Sequence, residues 1–300
     1  MLTSTKKLPF SGCCTAMVTP FENGEISLDT FKRMVNAQIE AGVSALVVCG
    51  TTGEAPTLTD KEKLMLISCA SEISDGRVPV IAGTGSPCTD RMLRLSAEAR
   101  DAGADALLIV TPYYNKGTES GILKSYFAAA ELGPPVILYN VPGRTGVDLA
   151  PHTVRKLSSH ENIVAIKEAS SACRIEALCA DELCDLHVYS GNDGGTLQAL
   201  AVGAKGVISV ISNILPAETC ELCRAFFSGD VAKSRKLQLF MLPLIKLLFE
   251  ETSPAPVKYL CGRLGICSED TRLPLGGISD TLKERLNSSL QDFFVKMQKN

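Results

Sequence analysis

The sequence predicts an α/β fold, a (β/α)8 TIM barrel with an appended C-terminal helical region. Three observations carry this expectation. Short apolar runs recur eight times along the chain, and most are apolar at both alternating positions, as strands covered on two faces are. Amphipathic segments long enough for helices separate them, which is the alternation of a parallel sheet with right-handed crossovers. Eight such units close a barrel, and barrels of roughly 250 residues or more form one unit.

The runs are Gly12–Thr19, Ala45–Gly50, Pro79–Gly85, Ala106–Pro112, Pro135–Asn140, Ile163–Glu168, His187–Gly191 and Gly206–Ile211. Between the first four, the apolar spacing predicts helices over Leu28–Ala41, Asp60–Ser74 and Thr89–Ala102. Ala41-Gly42-Val43, Ala102-Gly103-Ala104 and Val202-Gly203-Ala204 each precede a run, where glycine suits a left-handed helix C-terminus. The competing fold is an open doubly wound sheet. Its Gly-rich fingerprint is missing after the first run, which continues into Val18-Thr19-Pro20-Phe21. Beyond the eighth run, Pro216–Ser228, Asp230–Phe249, Pro256–Leu264 and Ser279–Met297 all read as helices. The expected division is a catalytic barrel over residues 1–228 and a helical extension over residues 229–300, packed on the barrel rather than independent.

Composition narrows the function. With 300 residues, 45% hydrophobic and 21% charged, the chain has ample core and needs no metal or disulfide to fold. A net charge of -3 leaves no basic footprint for nucleic acid. No apolar stretch reaches the length of a membrane span, and Met1–Phe10, despite Lys6-Lys7, lacks the apolar region of a secretory leader. Twelve cysteines lie within apolar or helical segments, so the expectation is reduced thiols in a cytoplasm. Histidine occurs only at 152, 160 and 187, which disfavours a metal-dependent site. Cys220 and Cys223 form one C-x-x-C on an expected helix without a second pair, and Cys13-Cys14 read as small core residues. Gly83-Thr84-Gly85 lacks the lysine of a phosphate loop and reads as a strand end.

Residues that break the apolar pattern cluster where barrel enzymes keep their chemistry, after the C-terminal ends of strands. They are Thr51-Thr52-Gly53-Glu54, Tyr113-Tyr114-Asn115, Tyr139-Asn140-Val141-Pro142, Lys167-Glu168 and Gly191-Asn192-Asp193. Strand alternation puts Lys167 on the face of Ile163 and Ala165. If that face is the lumen, burial disfavours the ammonium, and a neutral amine can attack a carbonyl to form an imine. The alternative is a strand-end lysine that reaches solvent or pairs with Glu168. Tyr139 is the analogous rim residue one strand earlier and can pass a proton, and Thr51 can extend a hydroxyl relay. Each alone also reads as a packing tyrosine or a turn threonine. Arg144, in Pro142-Gly143-Arg144-Thr145-Gly146, is either an exposed loop arginine or a two-pronged carboxylate clamp. Glu54 reads as a turn cap.

At these residues the sequence resembles a known family. Gly50-Thr51-Thr52-Gly53-Glu54, Tyr113-Tyr114-Asn115, Leu138-Tyr139-Asn140-Val141-Pro142 and Ile166-Lys167-Glu168-Ala169 resemble the dihydrodipicolinate synthase/N-acetylneuraminate lyase family of class I aldolases. The resemblance implies that Lys167 forms a Schiff base with pyruvate and Tyr139 relays protons there, with Thr51 linking it to Tyr114. It implies that Tyr114 crosses into a neighbouring subunit's site in a homotetramer built as a dimer of dimers. Thr52 would hold the pyruvate carboxylate, and the backbone of Gly191 and Ile208 would line the pocket. No metal or organic cofactor is implied. The Arg144 motif resembles the synthase branch, whose second substrate is aspartate semialdehyde and whose product leads toward diaminopimelate and lysine. Sialic acid or 2-keto-3-deoxy sugar acid cleavage shares Lys167 and Tyr139, and a non-catalytic binding barrel would have lost them. Lysine-inhibited members carry His, Asn and Glu where this chain has Lys63, Pro87 and Arg91, although Tyr113 is kept. Cations there imply weak or absent lysine feedback.

Overall fold

The computed structural model describes residues 6, 7 and 9–298. Of the N-terminal segment read above for a leader, residues 1–5 and 8 lie outside the described residues. Eight parallel strands close into a barrel: β1 (Gly12–Ala16), β4 (Ala45–Val48), β5 (Val80–Gly83), β6 (Ala106–Val110), β7 (Val136–Asn140), β8 (Ile163–Glu168), β9 (His187–Ser190) and β10 (Gly206–Ser209). Each pairs with the next in sequence, and β1 pairs with both β4 and β10 to complete the ring. A two-residue ribbon, β2 (Phe21–Glu22) with β3 (Glu25–Ile26), follows β1. Every barrel strand lies inside the apolar run that predicted it, whereas the β2–β3 ribbon falls outside all eight runs.

Two cores follow from the alternation of side chains along buried strands. One fills the lumen, with Cys14, Val47, Ile81, Leu108, Ile137 and Ile208 among its members. Phe10 plugs its lower end, stacked on Tyr189 at 4.1 Å between ring centroids, while the Tyr189 hydroxyl donates to the Phe10 carbonyl at 2.7 Å. The second core lies between the strands and the surrounding helices and includes Leu46, Leu107, Leu138, Ile166 and Val188. Helix boundaries follow local chemistry. Helix Asp60–Ser74 begins in a capping box, in which Thr59 accepts from the Glu62 amide while the Glu62 carboxylate accepts from the Thr59 amide at 2.8 Å. Gly42, Gly103 and Gly203 hold φ of +87, +94 and +112°, so the left-handed helix ends expected of them are present.

The strand facing expected for Lys167 needs one correction. The pairing of β7 with β8 runs Val136 to Ile163 and then Ile137 to Ala165, leaving Val164 as an extra residue. This bulge turns Ile163 to the helix side, whereas Val164 and Ala165 both meet the lumen. Lys167 therefore shares the luminal face with Ala165 but not with Ile163.

After β10, helices cover Pro216–Phe227, Val231–Leu247, Ala255–Arg263 and Asp280–Gln298, as the apolar spacing predicted. Among the described residues no helix is long and apolar enough to cross a membrane.

Candidate active site

Lys167 is the penultimate residue of β8, and its register partners are Tyr139 in β7 and Tyr189 in β9. Cross-strand partners in a parallel sheet share a face, so the lysine stem lies in the lumen between two aromatic neighbours. Only 5% of it is exposed, which rules out a side chain reaching for solvent. Its Nζ lies 4.3 Å from the centre of the Tyr139 ring. Glu168 does not neutralise it, because alternation sends that carboxylate to the opposite face. There Glu168 accepts from Asn140 Nδ2 at 3.0 and 3.2 Å and from the Ser170 amide at 2.8 Å. Among the described residues no carboxylate pairs with Lys167.

The Asn140–Glu168 clasp also stiffens the two strand ends that present Tyr139 and Lys167. Asn140 Nδ2 donates to Asp148 at 2.8 Å, and its Oδ1 accepts from the Leu149 amide at 3.0 Å. Such locking holds reactive groups in place before a substrate arrives.

Gly191, after β9, sits against the lysine. A Cβ at this position would lie 3.1 Å from Lys167 Cε and 2.6 Å from Ala169 Cβ. Its amide donates to the Glu168 carbonyl at 2.7 Å. Ile208 is buried in the same luminal cluster as Tyr139 and Tyr189. Asp193, two residues beyond Gly191, had no role assigned from sequence. Its Oδ2 accepts from the amides of Val210 at 2.9 Å and Ile211 at 3.2 Å, tying the loop after β9 to the end of β10. Burial pushes its carboxyl above the usual range, opposed by those hydrogen bonds, by Ser209 and by the charge of Lys167. Its rim position was the available signal; its link to the next strand was not readable locally.

A cavity of about 270 Å³ opens over this end of the barrel. Tyr139, Thr51, Tyr113, Arg144, Lys63 and Arg91 are among the residues that wall it. Arg144 stands at its mouth in a single helical turn, Pro142–Thr145, and donates to the Ser253 carbonyl at 3.1 Å. Thr52 is buried in the loop after β4 and, like Lys167, Gly191 and Ile208, is not part of the cavity wall. Tyr114 is placed elsewhere: it is 93% exposed, with φ of +71°, and does not line this chain's own cavity. Lys63 is buried in the wall, where desolvation pulls its ammonium below the usual lysine range.

Glu54 corrects an expectation. It occupies a left-handed position, φ 57°, at the turn, but its side chain caps nothing there. The carboxylate is buried and pairs with fully buried Lys258 at 2.8 Å, and its other oxygen accepts from the Arg272 amide at 2.9 Å. Lys258 also donates to the Thr19 carbonyl at 2.8 Å. The loop carrying Thr51 and Thr52 is thereby bolted to helix Ala255–Arg263. Nothing local in the sequence signals a partner 204 residues away.

A closed barrel with a buried, unpaired lysine beside a tyrosine at its C-terminal rim defines a carbonyl-directed, imine-forming class of lyase. The chain belongs to the dihydrodipicolinate synthetase family, which it matches over residues 9–293. The 4-hydroxy-tetrahydrodipicolinate synthase of Geobacter metallireducens is 45% identical over 289 residues, covering 95% of this chain and 99% of that protein. Dihydrodipicolinate synthase from Thermotoga maritima superimposes with a TM-score of 0.92 at 42% identity, covering 95% of this chain and 99% of that one. The 4-hydroxy-tetrahydrodipicolinate synthase of Methylacidiphilum fumariolicum SolV gives a TM-score of 0.94 at 37% identity, over 96% of this chain and 97% of that one.

Proposed function

We propose that this chain condenses pyruvate with L-aspartate 4-semialdehyde to 4-hydroxy-tetrahydrodipicolinate, through a Schiff base on Lys167. The observation that carries the reading is Lys167 itself, 5% exposed, lacking a carboxylate partner and 4.3 Å from the Tyr139 ring. The Nζ lone pair adds to the ketone carbon of pyruvate, and the carbinolamine loses water to give an iminium. The positive nitrogen acidifies C3, whose proton passes into the Tyr139–Thr51 relay, and the resulting enamine carbon attacks the aldehyde of the second substrate. The semialdehyde's own amine then adds to the iminium carbon, closing the ring and expelling Lys167 as the free amine. The imine is the electron sink, so the reaction is written with no metal and no organic cofactor. Tyr139 carries protons at the carbinolamine and at the new alkoxide, with Thr51 as the next hydroxyl in the relay. Thr52 and its backbone hold the pyruvate carboxylate, and the backbone of Gly191 and Ile208 confines the bound ketoacid. Arg144 at the cavity mouth grips the semialdehyde carboxylate, a contact suited to a short charged aldehyde over a polyol.

The assembly we infer is a homotetramer in which Tyr114 completes a neighbour's relay, and its 93% exposure in a single chain supports that reading. The Glu54–Lys258 pair supports a helical region, 229–300, that depends on the 1–228 barrel. Free thiols at all twelve cysteines suit a reducing cytoplasm. The test is a side-by-side turnover assay with pyruvate plus aspartate semialdehyde, against N-acetylneuraminate and 2-keto-3-deoxygluconate. Faster turnover of the semialdehyde pair is expected; preference for either sugar acid contradicts the assignment.

A further inference from the structure

At the other end of the barrel, a cavity of about 440 Å³ opens between the start of β1 and helix Pro216–Phe227. Three thiols, Cys13, Cys220 and Cys223, line it together with Arg224 and Ser44. All three cysteines are buried against the core, yet each borders this open space. The catalytic chemistry at the opposite rim uses none of them.

Cys13 on β1 and Cys220 on the helix border the same space, with Arg224 one helical turn beyond Cys220. The neighbouring Cys13 thiol and the Arg224 guanidinium pull the Cys220 thiol below its ordinary range against the opposing effect of burial. Cys13 correspondingly keeps its proton far more tightly than a free thiol. Cys223 completes the C-x-x-C spacing but is a poor nucleophile, because burial pushes its thiol up to about 12. The sequence motif and the chemically matched pair are therefore different pairs. Cys261 and Cys267 perturb each other in the same way but line neither of these two cavities, which makes them an internal comparison.

We propose that Cys220 and Cys13 form a hydroperoxide-reactive dithiol site at the N-terminal face of the barrel, reached through this cavity. The Cys220 thiolate attacks one peroxide oxygen. The O–O bond breaks, and the departing oxygen leaves as alkoxide or hydroxide and is protonated to alcohol or water. Cys220 is now a sulfenic acid. Cys13 gives up its proton as its sulfur attacks the Cys220 sulfur. The S–O bond breaks, and hydroxide leaves with that proton as water. Two thiols are oxidised to one disulfide, and one peroxide is reduced by two electrons. The product cross-links β1 to the helix that follows β10, across the seam where the barrel closes.

The test needs only the native full-length protein. It is exposed to stoichiometric hydrogen peroxide, alkylated and mapped without reduction, with pyruvate-dependent turnover as the gauge of folding. The expected product is a Cys13–Cys220 cross-link that dithiothreitol reverses. In Cys13→Ser, which cannot resolve the intermediate, dimedone should instead accumulate on Cys220. Before oxidation, iodoacetamide should label Cys220 at least about tenfold faster than Cys223 in the folded protein. The proposal is overturned if Cys13 and Cys220 stay reduced while exposed Cys88 and Cys173 oxidise. A cross-link from Cys220 to Cys223, or equal labelling of those two, overturns it as well.

Discussion

Replacing Gly191 with alanine probes how tightly the lysine is seated. The backbone there is not left-handed, so an added methyl brings no conformational penalty of its own, and its effect is steric. The new Cβ would stand 2.6 Å from Ala169 Cβ, 3.1 Å from Lys167 Cε and 3.2 Å from the Glu168 carbonyl oxygen. Carbon atoms settle at about 3.5–4.0 Å, so relief of the Ala169 clash alone needs a displacement on the order of 1 Å. Ala169 has no flexible end to swing away. Movement must fall on the loop after β9 or on the end of β8, and the latter carries the lysine. Misplacing a reacting group by about 1 Å costs roughly 100-fold in rate, or about 2.7 kcal/mol in the barrier. Expected, then, is a fall of that order in kcat/KM, with slower borohydride trapping of pyruvate. Gly195→Ala, in the same segment with nothing within 4 Å of its new Cβ, is the matched control and should be nearly silent. Wild-type trapping and turnover in Gly191→Ala, at unchanged Tm, would refute the packing argument.

Glu54→Gln leaves the Lys258 ammonium buried without its counter-ion, so urea denaturation should show a loss of about 3–5 kcal/mol, partly recovered by adding Lys258→Met. Glu62, paired with Arg272 at 2.6 Å, is held down to about 2. A depressed carboxyl contributes stability above its unfolded value and loses it as pH falls toward 2, so Glu62→Gln should flatten the acid limb of a Tm–pH profile below about pH 4.5 while leaving a constant offset above it. L-Lysine titrated into the assay should leave turnover within about twofold, because Lys63 and Arg91 in the cavity wall oppose its ammonium groups; strong inhibition at low concentration would contradict this.

The barrel was legible because its signal is redundant. Strands covered on both faces have no polar alternation to disguise them, and glycines at 42, 103 and 203 mark three helix ends. The rim was legible for a related reason. Tyr139, Lys167 and Arg144 interrupt apolar or turn sequences at strand ends, where barrel geometry gathers them. What stayed hidden was set by through-space partnerships. A one-residue bulge at Val164 reversed Ile163, since alternation counts residues and cannot see an extra one. The Glu54–Lys258 pair and the Asp193 link from the loop after β9 to β10 join segments that no local pattern connects. Spacing pairs Cys220 with Cys223, whereas Cys13 on the first strand borders the same cavity.

The central claim is that one luminal amine tethers the ketoacid. Incubation with pyruvate, reduction with borohydride and peptide mapping tests it directly. The account predicts a single stable adduct on Lys167 that is abolished in Lys167→Ala. Turnover with Lys167 unmodified, or an adduct on Lys63 or Lys258 instead, would contradict it.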